Sequence, residues 1–366
     1  MPRLAFAITE LDPGGAERAL AQIASGLLGK GWEIRTYCLG PETPLAAEMR
    51  AAGVTVECFG MRHSRDLGGM WSLRQRLKQF RPQILQAFLF HANLAARLTA
   101  WGIVPHVLAG VRVSEHDRPG RLRWDRWTRR LIHRYVCVSQ GVADFTISQG
   151  IPASQVCVIP NGVDGQRFAA ATPLDLTVFG LPAGASVLLG IGRLTPQKGF
   201  DLLLHAAAPL LQQRPEWHLL IAGEGPDRAA LEALVGQLGL DQQVHLPGRV
   251  ENIPGLLRAC DLFVLPSRWE GMPNVVLEAV AAGRRVVAAD VEGISDLATA
   301  GVRLSVCNPN DEESLRFAIE QNLNRVTSDD AEELDSQRVV LEEFSWPSVV
   351  ERYDELFRGL LDGANR

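Results

Sequence analysis

The chain has 366 residues, too many for one ordinary hydrophobic core and enough for two domains of roughly 150–200 residues each. Apolar residues make up 46% and charged residues 22%, which excludes a disordered chain, and no apolar run approaches the roughly 20 residues that span a bilayer. The net charge of −5 is unevenly shared: residues 1–170 hold 21 Lys and Arg against 13 Asp and Glu, and the remainder 16 against 29, so the first half faces an anionic partner or surface.

In chain order, strand-like runs alternate with helix-length segments. "RLAFAITEL" leads to a helix over 16–29, "EIRTYCLG" to 43–52, "VTVECFG" to 69–80 and "ILQAFLF" to 92–101. "HVLAGVRV" and "YVCVSQ" follow, then a helix near 140–149 and "VCVIPNGVD". This rhythm predicts βα units on a parallel sheet. The stretch "TPLDLTVFGLPAGA", rich in Pro and Gly, predicts a linker before a second series. That series runs "SVLLGIGRL", "HLLIAGEG", a helix over 226–238, "VHLPGRV", a helix over 252–259, "LFVLPS", a helix over 274–282, "RRVVAAD" and a helical tail. The expected fold is α/β, with two doubly wound parallel-sheet domains that share a site at the carboxyl ends of their strands. The expected boundaries are 1–172 and 184–345, with the tail at about 346–366 returning to the first domain. The start, Met1 to Ile8, enters a strand without a signal-peptide layout, so a cytoplasmic location is expected. The six cysteines lie apart without a CxxC pair and read as reduced core residues.

"PSRWEGMPNVVLEAVAAG" places Glu270 in a loop after a strand and Glu278 on the helix that follows. A loop carboxylate with adjoining backbone N–H groups suits sugar hydroxyls, a helix carboxylate suits a ribose diol, and Pro273 suits the first helical turn, whose free N–H groups can seat a phosphate. Two solvated carboxylates would give the same letters. "GIGRLTPQKGFD" places Arg193 and Lys198 on a turn after a strand, where a planar fork and a point charge can straddle a diphosphate and offset its developing charge. Two surface cations are the plain alternative. Thr195 stands where a GxGxxG fingerprint needs glycine, which removes the main support for a hydride-transferring enzyme. "ELDPGGAERAL" carries Gly14 and Gly15 on a tight βα turn that lets backbone approach a ligand.

Taken with "VIPNGVD", "IAGEGPDRAALE" and "VHLPGRV", these segments stand in an order that resembles glycosyltransferase family 4, the retaining GT-B glycosyltransferases, over nearly the whole chain. The resemblance implies that Arg193 and Lys198 bind the diphosphate of a nucleotide-sugar and Glu278 its ribose. It gives Glu270, Gly271, Met272, Pro273 and Asn274 to the sugar and phosphate, and Gly223, Glu224, Arg249 and Val250 to the nucleotide base. Gly14 and Gly15 would approach the donor from the first domain. His91, in "FLFHANLAAR", matches the family's histidine that projects toward the donor sugar, although a capping or core histidine would also fit there.

The chain departs from the family pattern at Gly283-Arg284-Arg285-Val286 and at Ser295-Asp296, positions that bear on donor identity rather than reaction class. The implied mechanism is front-face substitution, with Arg193, Lys198, Glu270 and His91 as the catalytic set and no cofactor. No DxD motif or His/Cys ligand cluster appears, so no metal requirement is expected. Closure of the domains about the linker and the tail would assemble the site. "FHANLAAR" also resembles members that use UDP-sugars in bacterial surface-glycan assembly, as in lipopolysaccharide.

The acceptor must be read from the first domain. Residues 118–134 hold seven arginines with Trp124 and Trp127, a pattern that suits the anionic inner face of a membrane and a glycan or polyprenyl-linked acceptor. A solvated helix with its tryptophans in the core accounts for the same pattern. No nucleic-acid motif accompanies the arginines. A GT-B-like nucleotide-sugar epimerase and an inactive sugar-binding scaffold remain the alternatives.

Overall fold

The computed structural model describes residues 1–12, 14–61, 66–113, 128–324 and 330–363, with the backbone alone at 330–332. The chain divides into two compact units, Met1–Gly162 with Trp346–Arg366, and Val163–Ser345.

Among the described residues the first unit carries seven strands: β1 Arg3–Ile8, β2 Glu33–Cys38, β3 Thr55–Cys58, β4 Ile84–Phe88, β5 His106–Val111, β6 Arg134–Cys137 and β7 Val156–Val158. They form one parallel sheet in the order β3-β2-β1-β4-β5-β6-β7. Successive side chains of a strand point to opposite faces, and β1 sorts accordingly. Leu4, Phe6 and Ile8 join one core cluster, while Ala5 and Ala7 join the other. Both faces are covered, which is why its sequence is a continuous apolar run. Helices α1 (Gly15–Leu28), α2 (Pro44–Ala51), α3 (Leu67–Phe80) and α4 (Phe90–Ala100) follow the first four strands. The alanine face of α4, with Ala92, Ala95, Ala96 and Ala100, packs in the cluster that holds Ala5 and Ala7.

The last helix, Trp346–Gly363, lies in the opposite cluster with α1. It buries Val349, Val350, Tyr353 and Phe357 at the three- and four-residue spacing of one helix face. Each such side chain, once buried, contributes about 1.5–3 kcal/mol. Gly26 admits Val350, whose Cγ2 lies 2.6 Å from where a Cβ at 26 would stand. Trp32 donates its indole N–H to Asp354 at 2.7 Å, and its ring meets Phe357 edge-on at 5.8 Å.

The second unit has six strands among the described residues: β8 Ser186–Ile191, β9 Trp217–Ala222, β10 Val244–Gly248, β11 Leu262–Leu265, β12 Arg285–Ala289 and β13 Ser305–Cys307. Their order is β10-β9-β8-β11-β12-β13, again parallel.

Three sequence expectations need correction. Residues 163–172 pack with the second unit, so the first ends at Gly162 rather than near 172. The cause is contact with distant chain: Leu341 lies 2.0 Å from a Cβ placed on Gly165, and Leu174 donates its N–H to Gly255 at 2.9 Å. Pro273 is the residue that caps helix Asn274–Ala281 rather than a member of its first turn. The cysteines are all free, but Cys58 and Cys157 are only partly buried. Burial pushes the thiols of Cys38, Cys137 and Cys260 up to about 12. Residues 118–127 of the basic segment lie outside the described residues.

Candidate functional site

In each sheet the strand order reverses at one place, between β1 and β4 in the first unit and between β8 and β11 in the second. At such a reversal the connecting segments leave toward opposite faces, opening a crevice at the carboxyl ends of the two strands.

In the second unit, the turn after β8 carries Arg193 and Lys198, and the loop after β11 carries Glu270. These two segments are clamped together. Arg268 donates its backbone N–H to Gln197 at 2.8 Å, and Gln197 donates its side-chain amide to the Trp269 carbonyl at 2.9 Å. The Arg268 guanidinium bonds both oxygens of Asp201, at 2.9 and 2.7 Å, and the Pro196 carbonyl at 2.6 Å. Gly199 has φ +64°, and a Cβ there would stand 2.2 Å from the Pro266 carbonyl oxygen, so only glycine lets the turn close on the loop.

The clamp brings the Lys198 ammonium 2.5 Å from Glu270 Oε1. Ser267 donates its hydroxyl to the same oxygen at 2.7 Å. Glu270 is only 6% exposed, and a carboxylate that dry needs such partners to make up for the water it has lost. Its backbone N–H donates to Glu292 Oε2 at 3.3 Å, which draws the loop after β12 into the same cluster. Gly293 packs there too: a Cβ on it would stand 3.0 Å from Met272 Cα and 3.1 Å from the Gly271 carbonyl oxygen. Arg193 is exposed, and no hydrogen bond or ion pair of its guanidinium is found among the described residues.

Helix Asn274–Ala281 begins directly after this loop, with no side-chain cap on its first turn. Glu278 is half-buried on its second turn, and Met272 is buried in front of it. The turns after β9 and β10 close the other flank. Gly192 donates to Ala222 at 3.1 Å, Leu194 to Glu224 at 3.0 Å, and Gly223 to Gly248 at 2.8 Å. Gly223 has φ +153°, and a Cβ on it would lie 1.8 Å from the Gly192 carbonyl oxygen. Glu224 and Arg249 are exposed beside this backbone ladder, with Val250 half-buried.

In the first unit, Gly14 and Gly15 follow β1, and His91 follows β4 on the first turn of α4. Gly14 is the cap residue of α1, and a Cβ there would meet Glu17 Oε2 at 2.4 Å, because the buried Glu17 side chain folds back over the turn. Leu89, the cap of α4, sits at φ 70° and ψ 157°, a conformation that costs a leucine about 1–3 kcal/mol. That strained step sets the direction in which His91 leaves the sheet. His91 is half-buried and meets the Phe90 ring edge-on at 5.5 Å. The N–H of Ala92 donates to Thr9 at the end of β1 at 3.2 Å, tying the two segments together.

Neither Ser267 nor Glu292 stands out in the sequence, nor does a half-buried polar group in the first unit. There Arg112 donates to Asn161, lies 5.4 Å over the Phe88 ring and hydrogen-bonds Tyr353. Burial lowers the Arg112 pKa and raises that of Glu17 above the ordinary carboxylate range. Asn161 belongs to "VIPNGVD", so its segment was legible where its partner was not.

The comparisons with known proteins match this division. Residues 13–167 match Glycosyltransferase Family 4, and residues 185–325 match Glycosyl transferases group 1. A lipopolysaccharide core biosynthesis mannosyltransferase, LpsB of Rhizobium meliloti, is 36% identical over 184 residues, which are 48% of this chain and 51% of that protein. The match thus spans about half the length of that relative. The UDP-Gal:alpha-D-GlcNAc-diphosphoundecaprenol alpha-1,3-galactosyltransferase of Escherichia coli is 27% identical over 311 residues, 80% of each chain. Among solved structures, Anabaena Alr3699/HepE in complex with UDP and glucose superposes with a TM-score of 0.85 at 21% identity, covering 98% of this chain and 100% of that one. WaaG, a glycosyltransferase involved in lipopolysaccharide biosynthesis, gives 0.72 at 19% identity, covering 96% and 99%. The chain belongs to the glycosyltransferases that join a Family 4 domain to a group 1 domain in the GT-B fold.

Proposed function

We propose that the protein is a retaining, metal-independent glycosyltransferase that moves a hexose or N-acetylhexosamine from a UDP-sugar to a glycan or lipid-linked glycan in bacterial surface polysaccharide assembly, on the cytoplasmic face of the membrane. The observation that carries this reading is the Lys198–Glu270 pair at the strand reversal of the second unit, with the exposed Arg193 on the same turn. A turn that holds one committed and one uncommitted cation beside the start of a helix suits a diphosphate. In this reading Arg193 and Lys198 grip the diphosphate, Glu278 accepts from the ribose, and Glu270 with Gly271, Met272, Pro273 and Asn274 holds the sugar. The backbone of Gly223 and Glu224, with Arg249 and Val250, receives the base. Gly14, Gly15 and His91, in the first unit, keep the donor-side roles that the family resemblance implies.

In the reaction, the bond between the anomeric carbon and the diphosphate oxygen breaks while the acceptor hydroxyl bonds that carbon on the same face. The departing diphosphate oxygen takes the hydroxyl proton, so configuration is kept without a covalent enzyme intermediate. The chain supplies positioning and stabilises the charge on the leaving group. The relatives named above support the UDP-sugar and the lipid-linked acceptor. The basic segment 118–134 would touch the membrane.

The test is the release of nucleotide from UDP-, GDP- and ADP-sugars, with EDTA present. One UDP-sugar should be turned over, and Lys198→Ala and Glu278→Ala should each abolish that turnover. Turnover that needs an added divalent metal, or that survives both substitutions, would overturn the assignment. Conversion of the sugar without release of UDP would instead identify an epimerase.

A further inference from the structure

At the carboxyl ends of the second sheet, the charge carried by the loops changes sign from one side of β11 to the other. Strands β8, β11 and β12 are neighbours in that order. The turn after β8 brings two cations, Lys198 and the exposed Arg193. The loop after β11 brings Glu270, and the one cation of that loop, Arg268, is paired with Asp201. The segment after β12, residues 290–296, holds Asp290, Glu292 and Asp296 and no Lys or Arg. Arg284 and Arg285 stand at the opposite end of β12, where the strand begins.

Glu292 carries this negative charge into the Glu270 loop. Its side chain is half-buried, and its Oε2 accepts from the backbone N–H of Glu270 at 3.3 Å. Gly293, at φ +85°, lets the two loops lie this close, since a Cβ there would stand 3.0 Å from Met272 Cα. The carboxylates of Glu270 and Glu292 thus belong to one packed cluster, in which Lys198 is bonded to Glu270. When Lys198 turns to the diphosphate of a bound donor, the sugar is left beside both carboxylates. Carboxylates accept hydrogen bonds from sugar hydroxyls but repel another carboxylate, and in a site this dry the repulsion is weakly screened. A nucleotide-sugar with an uncharged sugar has the matching polarity, anionic only at its diphosphate. A uronic acid sugar puts a further negative charge at the wrong end.

We propose that Glu292 is a specificity-determining residue of the donor site, whose charge rejects UDP-sugars that carry a carboxylate and restricts the donor to uncharged sugars. The inference rests on the proposed function and deepens it by naming the class of sugar. Glutamine at 292 keeps an oxygen for the Glu270 N–H and removes the charge, so anchoring of the loop and repulsion of the ligand can be told apart.

Calorimetric titration compares the wild type and Glu292→Gln with UDP, with UDP-glucose against UDP-glucuronate, and with UDP-galactose against UDP-galacturonate. In the wild type each uronate should bind roughly tenfold or more weakly than its uncharged partner. Glu292→Gln should narrow that gap about tenfold by tightening the uronates, with UDP bound as in the wild type because UDP has no sugar to repel. Uronates that bind the wild type as well as their partners, or a gap that Glu292→Gln leaves as wide, would overturn the proposal while the UDP-sugar reading stands. So would an equal narrowing in Asp290→Asn, which would assign the effect to the charge of the whole segment. A wild type that binds neither UDP nor any of the four sugars would sink both.

Discussion

The Glu270 carboxylate receives two donors on one oxygen, Lys198 and Ser267. Lys198 therefore has two partners to serve in the proposed reaction, Glu270 before the donor arrives and the diphosphate once it is bound. Ser267 is what keeps Glu270 in place during that exchange. Ser267→Ala should lower stability by about 1 kcal/mol, the net value of one hydrogen bond. It should also raise KM for the UDP-sugar more than it lowers kcat, which steady-state kinetics with a melting curve can check. An unchanged KM would show that Ser267 only fills space. Gly223→Ala is the severe case. Its Cβ would fall 1.8 Å from a backbone oxygen at a positive φ, so the turns after β8 and β9 must part. A stability loss of about 3 kcal/mol or more is expected in denaturant unfolding.

At the scale of elements, most strands were legible because a parallel strand covered on both faces is written as an apolar run. Strand β13 was not, since the three residues Ser305–Cys307 carry too little pattern to separate from the closing helices. Residues 163–172 went to the wrong unit because their partners, Leu341 and Gly255, are distant in sequence. The same reason hid part of the site. Arg193, Lys198, Glu270 and Glu278 lie in dense local motifs, whereas Glu292 reaches Glu270 only through the packing of the loops after β11 and β12.

The strands also bring two histidine pairs together, each across a sheet. His218 on β9 and His245 on β10 meet at 3.1 Å, and the rings of His106 and His133 stand 5.3 Å apart. Burial lowers the pKa of all four, and the partner ring adds to this for His245 and His106. The unfolded chain therefore takes up protons near pH 6.5 that the folded chain refuses. Stability should be full above about pH 6.5 and fall as the pH drops below it. Thermal unfolding across pH 5 to 8 should show that slope, and His218→Gln/His245→Gln should lessen it, leaving the part that His106 and His133 contribute.

For the whole molecule, the family assignment and the charge asymmetry divide the labour. The acidic second unit holds the cluster proposed for the donor, and the basic first unit holds the segment 118–134 proposed for the membrane. The most direct measurement of the central claim is calorimetric titration of UDP, in EDTA, into the wild type and into Lys198→Ala, Glu278→Ala and His91→Ala. Binding should weaken roughly 10- to 100-fold in the first two, the value of one charged hydrogen bond, and persist in His91→Ala, whose side chain belongs to the first unit. Binding that needs metal, or that weakens in His91→Ala while Lys198→Ala and Glu278→Ala bind like the wild type, would contradict the account.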